Sequence, residues 1–142
     1  MGRVRVPLAP SNVRWVAVAA VAGVILAASV ARPTGVEPVA GPFGLVGADK
    51  YLHGSGYAVL ALALAYALAE REAGRVAVFA FLAATVFGVG VELVQLPLAY
   101  RTFSLWDAVA NATGAAVVAV CWRPLRERVR FGPVAAETGA GS

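Results

Sequence analysis

The side chains best suited to chemistry in this chain form three short groups, each beside or within an apolar run. They are Lys50, His53 and Tyr57, then Glu92 and Gln95, and then Arg101, Asp107 and Asn111. Carboxylates and an imidazole can exchange protons with a bound molecule, whereas an ammonium or a guanidinium can hold a phosphate or a carboxylate. Together these residue types predict a site that binds or modifies an anionic group.

The spacing within each group is helical. The first group follows an i, i+3, i+7 pattern and the second an i, i+3 pattern, and the aspartate and asparagine of the third stand at i and i+4. Residues at these intervals share one face of a helix. All three groups fall at the same end of their helices, so we expect one polar pocket and not scattered polar positions.

Three residues of this pocket are candidate catalytic residues, namely His53, Glu92 and Asp107. They could act as an acid–base pair or hold a divalent cation. No HExxH or comparable ligand spacing is present, so proton transfer is favoured and no metal site is predicted. The alternative for Glu92 is structural: it pairs with Arg101 or Lys50 and ties helices together.

The other five residues are candidate binding residues. Lys50 and Arg101 would hold an anion, although cations at helix ends also extend toward the interface without binding anything. Gln95 and Asn111 would line the pocket or simply form hydrogen bonds between helices. Tyr57 lies one turn deeper, where packing with a satisfied hydroxyl is the alternative.

The composition points to a membrane. Of the 142 residues, 60% are hydrophobic and only 14% are charged, and the mean hydropathy is +0.75. Soluble domains are roughly a quarter charged, so this excess of apolar residues needs an apolar solvent. The net charge of +4 comes from short arginine clusters without interleaved aromatics, which argues against nucleic acid and favours anionic lipid head groups. No Walker loop, CxxC or dinucleotide fingerprint assigns a cofactor.

Four apolar runs approach the ~20 residues that cross a bilayer. We predict an all-α membrane bundle with helices at about 13–31, 51–69, 76–96 and 105–122, within a domain spanning 1–131. The first run also resembles a signal peptide, but it is longer than the usual signal core and we favour an uncleaved helix. Ser104 could cap the fourth helix. The small, polar segment 132–142 is predicted to be a disordered cytoplasmic tail.

The arginines predict the orientation, because cytoplasmic loops are enriched in Lys and Arg. One side would carry Arg3, Arg5, Arg14, Arg71, Arg75, Arg123, Arg126, Arg128 and Arg130. The other side would carry only Arg32, Lys50 and Arg101. We therefore expect a multi-pass protein of the cell membrane with both termini in the cytoplasm and the polar pocket facing outward. Trp15 and Trp122 would mark the inner interface.

Three motifs in this order resemble the VanZ-like membrane proteins. They read DKYLHGSGY (49–57), GVGVELVQ (88–95) and RTFSLWDAVANATG (101–114). The resemblance covers about Asp49 to Val120 and implies a four-helix plan and a role at the cell envelope. The family is linked to low-level resistance to the glycopeptide teicoplanin, and the resemblance implies no particular reaction.

Three functions remain open from the sequence. The first is an enzyme or binding protein for an anionic lipid or lipid-linked envelope precursor. The second is a small transporter or proton pathway, which needs polar residues through the full membrane depth; the inner halves of the second, third and fourth helices carry almost none beyond Tyr66 and Thr85. The third is a non-catalytic membrane partner whose pocket charges are structural. The oligomeric state is open.

Overall fold

The computed structural model describes residues 2–31, 41, 47–100 and 104–133. Within these ranges the chain forms four helices and two strands, in the order β1 (Val4–Leu8), α1 (Ser11–Val30), α2 (Ala48–Ala67), α3 (Ala73–Gln95), α4 (Leu105–Arg128) and β2 (Val129–Pro133). The predominantly helical architecture is confirmed. The strands correct the all-α assignment: they lie outside the apolar runs, and each is paired with the opposite end of the chain, which local sequence cannot reveal.

Three of the described helices, α1, α3 and α4, are long and apolar enough to cross a membrane. The fourth, α2, has 20 residues, or about 30 Å at 1.5 Å per residue, which matches the hydrocarbon core in length. Its first half, however, carries Asp49, Lys50 and His53, and these lower its hydropathy. The prediction of four apolar spans therefore holds for three helices by composition.

The helix limits differ from the predicted ones mainly at the end of α4. This helix continues to Arg128, past the predicted limit at residue 122 and through Pro124. Hydropathy marks the part of a helix that suits a membrane, whereas backbone hydrogen bonding continues beyond it. The start of α4 is as predicted, because the Asp107 backbone N–H donates to Ser104 Oγ at 3.2 Å.

The start of α3 is capped by a residue to which no role had been assigned. The Glu72 carboxylate accepts hydrogen bonds from the backbone N–H groups of Gly74 at 2.7 Å and Arg75 at 2.8 Å. These bonds hold the pKa of Glu72 below its usual range. A carboxylate at this position also complements the positive end of the helix dipole.

The core is centred on α2, which packs against α1, α3 and α4. Its buried face consists of Tyr57, Leu60, Ala61, Leu64 and Ala65. Ala77, Ala80 and Ala84 are buried in α3, and Ala115 is fully buried in α4. Small side chains let helix backbones approach closely, which is how helices associate where lipid already solvates apolar groups.

The ends of α2 and α4 meet the starts of α1 and α3 at what we call the arginine-rich end. There β1 pairs in parallel with β2, with Val4 opposite Val129. Phe131 of β2 stacks on Trp122 at a centroid distance of 6.0 Å, and the Arg126 guanidinium lies 4.9 Å from its ring centroid. Trp122 is 2% exposed, so its predicted place in an interfacial belt is wrong: Phe131 covers it.

Arg14 is not an exposed cation of this end, because it lies in the first turn of α1 and is only 4% exposed. Its guanidinium donates to the carbonyl oxygen of Ala67 at 2.8 Å and to Glu70 Oε2 at 2.7 Å. It thereby satisfies a carbonyl left free at the end of α2. β2 also includes Gly132 and Pro133, which we had assigned to the disordered tail; the remainder of that tail, 134–142, lies outside the described residues.

Candidate functional site

The site is organised by a close crossing of α2 and α4. A Cβ atom on Gly114 would overlap the carbonyl oxygen of Gly54, so the two backbones touch at this point. The same side of the crossing pairs Lys50 with Asp107 and His53 with Asn111. From the first pair to the second, the residue numbers increase on both helices, so α2 and α4 run parallel. Their first turns therefore lie side by side. We call this the polar end of the bundle.

Lys50 is held by two carboxylates. Its Nζ atom donates to Asp107 Oδ1 across the helix interface and to Asp49 Oδ2 at 2.6 Å. The Lys50 and Asp107 side chains are both largely shielded from solvent. Lys50 is therefore not a cation that merely extends to the interface, since it links α2 to α4. Two of the three ammonium hydrogens are thus engaged, and one remains for a further acceptor.

His53 lies between the same two helices. Its Nδ1 atom is 3.2 Å from Asn111 Oδ1, and its Nε2 atom is 3.9 Å from Asp107 Oδ2. In the tautomer that satisfies Asn111 Oδ1, Nδ1 carries the hydrogen and Nε2 carries the lone pair. A ring oriented in this way is equipped to accept a proton at Nε2.

Glu92 is the buried member of the cluster. It is 2% exposed, and its Oε2 atom has no hydrogen-bond partner among the residues that the structure describes. The carboxylate faces the backbone N–H of Ser104 and lies within electrostatic reach of Asp107, His53 and Lys50. A buried acceptor without a partner costs about 1–3 kcal/mol. Glu92 thus does not form the direct pair with Lys50 that the structural interpretation allowed.

Tyr57 packs directly behind Glu92. A Cβ atom on Gly88 would lie 2.9 Å from Tyr57 Cε1 and 3.3 Å from Asn111 Nδ2, so Gly88 makes room for the ring. The hydroxyl group of Tyr57 is buried and, within the described ranges, has no hydrogen-bond partner. The expected alternative of a satisfied hydroxyl is therefore wrong within the described part of the chain.

A cavity of about 300 Å³ adjoins the cluster between α1, α2 and α3. Its polar lining consists of Ser29, Asp49, His53, Tyr57 and Gln95. Gln95 Nε2 donates to the backbone carbonyl oxygen of Ser29 at 2.8 Å, which ties the end of α3 to the end of α1. The cavity is large enough for a small polar group, and His53 and Tyr57 form part of its wall.

The structure brings together seven of the eight predicted site residues at the polar end. These are Lys50, His53, Tyr57, Glu92, Gln95, Asp107 and Asn111. The eighth, Arg101, lies outside the described residues. Within those ranges no three His, Cys, Asp or Glu side chains are grouped so as to hold a metal ion.

Sequence reasoning assigned no role to α1 or to Asp49. Ser29 takes part through its backbone carbonyl, which no residue type reveals, and the apolar wall comes from Ile25 and Ala28. Asp49 was visible in the first motif, next to Lys50, but its carboxylate was not recognised as a partner of that lysine. The adjacency of Asp49 and Lys50 in the sequence was the signal that could have revealed this contact.

No protein-family model matches the chain, and no match is found among curated proteins or solved structures. The resemblance to VanZ-like proteins stays a prediction made from three motifs. The function of the chain is therefore inferred from the residues at the polar end and from their geometry.

Proposed function

We propose that this chain is a VanZ-like membrane protein whose polar end binds the head group of a membrane lipid or of a lipid-linked component of the cell envelope. One observation carries this proposal: ionisable side chains from α2, α3 and α4 converge around buried Glu92, beside a cavity, in an otherwise apolar bundle. Ionisable groups in membrane segments are costly and usually functional.

The groups without partners indicate what the head group must supply. Glu92 Oε2 and Tyr57 Oη have no hydrogen-bond partner in the described part of the chain, and His53 Nε2 carries a lone pair in the tautomer that donates from Nδ1 to Asn111. Hydroxyl groups of a ligand would satisfy these acceptors. In the enzymatic form of the proposal, Glu92 or His53 accepts a proton from such a hydroxyl group.

The charge balance limits how an anionic group would bind. Among the described residues, Asp49, Glu92 and Asp107 stand against the single ammonium of Lys50. A phosphate or carboxylate would therefore use the remaining donor of Lys50, exchange with Asp107 or Asp49 there, or bind Arg101 in the adjoining connection. We propose a head group that combines hydroxyl groups with an anionic group. The hydroxyl groups match the acceptors without partners, and the anionic group matches Lys50 or Arg101.

We further propose that all four helices cross the cell membrane, with the arginine-rich end in the cytoplasm and the cavity facing outward. Two facts support this arrangement. The pairing of β1 with β2 holds the segments before α1 and after α4 at the same end of the bundle, which is consistent with an even number of crossings. The described arginines also cluster at that end, as cytoplasmic segments do.

A non-catalytic partner is the second candidate, and one observation favours it. Lys50–Asp107 and His53–Asn111 both join α2 to α4, as purely structural pairs would. A transporter is less well supported, because the Tyr66 hydroxyl is engaged with Pro7 and Ala9 of the arginine-rich end and Thr85 lies apart from the polar cluster. The family link to glycopeptide resistance suits either an altered envelope lipid or a shielding partner.

Comparative lipid mass spectrometry tests the proposal in a deletion strain. The strain is complemented with the wild type, Glu92→Gln or Glu127→Gln at matched protein levels. Glu127 is the control because it is an exposed glutamate at the opposite end of α4. We expect a lipid or lipid-linked species to accumulate in the deletion strain and with Glu92→Gln, and to return to normal with Glu127→Gln.

Identical lipid profiles in all strains would exclude turnover and leave binding alone. Co-purified lipid then decides between the two remaining functions. A head group retained by the wild type and lost with His53→Ala and Glu92→Gln supports binding, whereas retention that ignores both substitutions supports the non-catalytic partner.

A further inference from the structure

An apolar groove continues from the polar cavity between α1 and α2. It has a volume of about 380 Å³ and is lined by Val21, Val24, Ile25, Leu52, Gly56 and Val59, among others. Three residues belong to both the groove and the polar cavity, namely Ile25, Leu52 and Gly56. The two spaces are therefore neighbouring parts of one depression, polar at the end of the bundle and apolar toward its middle.

The floor of the groove exists because residue 56 is a glycine. The nearest atoms to a Cβ placed there are Ile25 Cγ1 and Cδ1, at 3.9 and 4.0 Å. A larger side chain at this position would fill the space between the two helices. The outer walls at Val24, Leu52 and Val59 are exposed apolar side chains, so the groove opens sideways on the face that would meet lipid.

The bottom of the groove lies about one bilayer leaflet below the polar end of α1. Ala20 is its deepest lining residue on α1 and lies ten residues before Val30, the last residue of that helix. Ten residues correspond to about 15 Å along a helix. This is half of the ~30 Å hydrocarbon core. A lipid with its head at the polar end would reach the bottom of the groove near the bilayer midplane.

From this geometry we infer that one hydrocarbon chain of the bound lipid lies in the groove between α1 and α2. This inference rests on the proposed function, since the head group of the same lipid occupies the polar cavity. The depression is polar at one end and apolar at the other, as a lipid molecule is. In the proposed orientation its polar end faces outward, as the head groups of lipids in the outer leaflet do. The ligand class is thereby narrowed to single molecules that carry both a hydroxylated head and a long chain.

We expect the contact between the groove and the hydrocarbon chain of the ligand to contribute measurably to the binding affinity. Burial of CH₂ groups is favourable when they leave water. In a membrane or micelle the chain is already in an apolar solvent, so the gain comes from packing and is smaller. We therefore expect binding to depend on both parts of the depression, and blocking either one should weaken it.

Native mass spectrometry of the full chain in detergent tests the inference, with lysophosphatidylglycerol as the probe. This lipid has one chain, an anionic phosphate and a hydroxylated head. Four proteins are compared: the wild type, Gly56→Leu, Gly23→Leu and His53→Ala. Gly23→Leu is the matched control, because a Cβ atom there meets nothing within 4 Å and Gly23 does not line the groove.

We expect one probe molecule to bind per chain, at least tenfold more weakly with Gly56→Leu and within twofold of the wild type with Gly23→Leu. His53→Ala should also weaken binding, because it removes part of the head site. Val24→Phe, placed on the exposed wall of the groove, is the second blocking variant if Gly56→Leu does not fold. Circular dichroism and thermal unfolding establish that each variant keeps the helical fold.

The outcomes separate the two proposals. If His53→Ala weakens binding of the probe but neither blocking variant does, the inferred hydrocarbon site in the groove is wrong, and the proposed head-group site is still supported. Binding that no substitution affects, or no saturable binding to the wild type, would overturn both for this lipid class. If the blocking variants change only the monomer–dimer ratio, the occupant of the groove is a second copy of the chain and the inference is wrong.

Discussion

At the scale of single residues, the site combines satisfied and unsatisfied polar groups. Lys50, His53 and Asn111 each have a partner on the neighbouring helix, whereas Glu92 Oε2 and Tyr57 Oη have none within the described residues. Buried polar groups in proteins are nearly always paired. Under the proposed function, the unpaired groups are those with which a ligand would form hydrogen bonds, and the paired ones hold α2 against α4.

The pairing of Lys50 with Asp107 leads to a prediction about stability. Lys50→Met should destabilise the bundle by about 1–3 kcal/mol, because it leaves the Asp107 carboxylate without its cation. Adding Asp107→Asn should recover a large part of this loss by removing the unpaired charge. Unfolding in mixed micelles, with Arg71→Met as an exposed control, measures both effects. A double variant no more stable than Lys50→Met would show that the two groups are not coupled.

At the scale of elements, the contact between α2 and α4 decides where the polar residues meet. Gly54 and Gly114 let the two backbones touch, and the first turns of the helices then lie within reach of each other. α1 contributes differently, through the Ser29 carbonyl and the apolar wall of the cavity. The site is thus assembled by one tight helix pair and completed by a more loosely packed helix.

Gly114 should be the least tolerant glycine of the bundle. Gly114→Ala places a methyl group against the Gly54 carbonyl oxygen, so α4 must move away from α2 at a cost of about 1–3 kcal/mol. Gly90→Ala is the control, because its Cβ atom meets nothing within 4 Å, and alanine is the better helix former. Unfolding in micelles compares the two. Equal stability of both variants would contradict the close crossing.

At the scale of the whole molecule, the two ends of the bundle are chemically different. One end carries the two strands, buried Arg14 and most of the described arginines, and the other carries Asp49, Glu92, Asp107 and the cavity. Such polarity along one axis suits a protein that presents one end to the cytoplasm and the other to the outer face of the membrane.

Cysteine labelling in intact cells tests this orientation. Cys121 is the only cysteine, so Cys121→Ser gives a background into which Ala99→Cys or Glu127→Cys is introduced. Both positions are exposed, at the polar and the arginine-rich end respectively. A membrane-impermeant maleimide should label the cysteine at position 99 in intact cells and the one at position 127 only after lysis. The reverse pattern would invert the proposed orientation.

Much of the site could be predicted from residue spacing, because the helical repeat determines which side chains share a face. This reasoning grouped Lys50 with His53 and Asp107 with Asn111, and it placed all of them at one end. It also anticipated the Ser104 cap, since a serine before an apolar run can accept a backbone N–H. The helical architecture followed from the apolar runs for the same local reason.

Only the tertiary structure decided which faces meet and which groups remain unpaired. Lys50 contacts Asp107 and not Glu92 because the Gly54–Gly114 crossing sets the register between α2 and α4. The pairing of β1 with β2, the cover of Phe131 over Trp122 and the groove between α1 and α2 depend likewise on contacts between distant segments. Local spacing fixes the face of one helix, whereas the distance, angle and register between helices result from packing of the whole bundle.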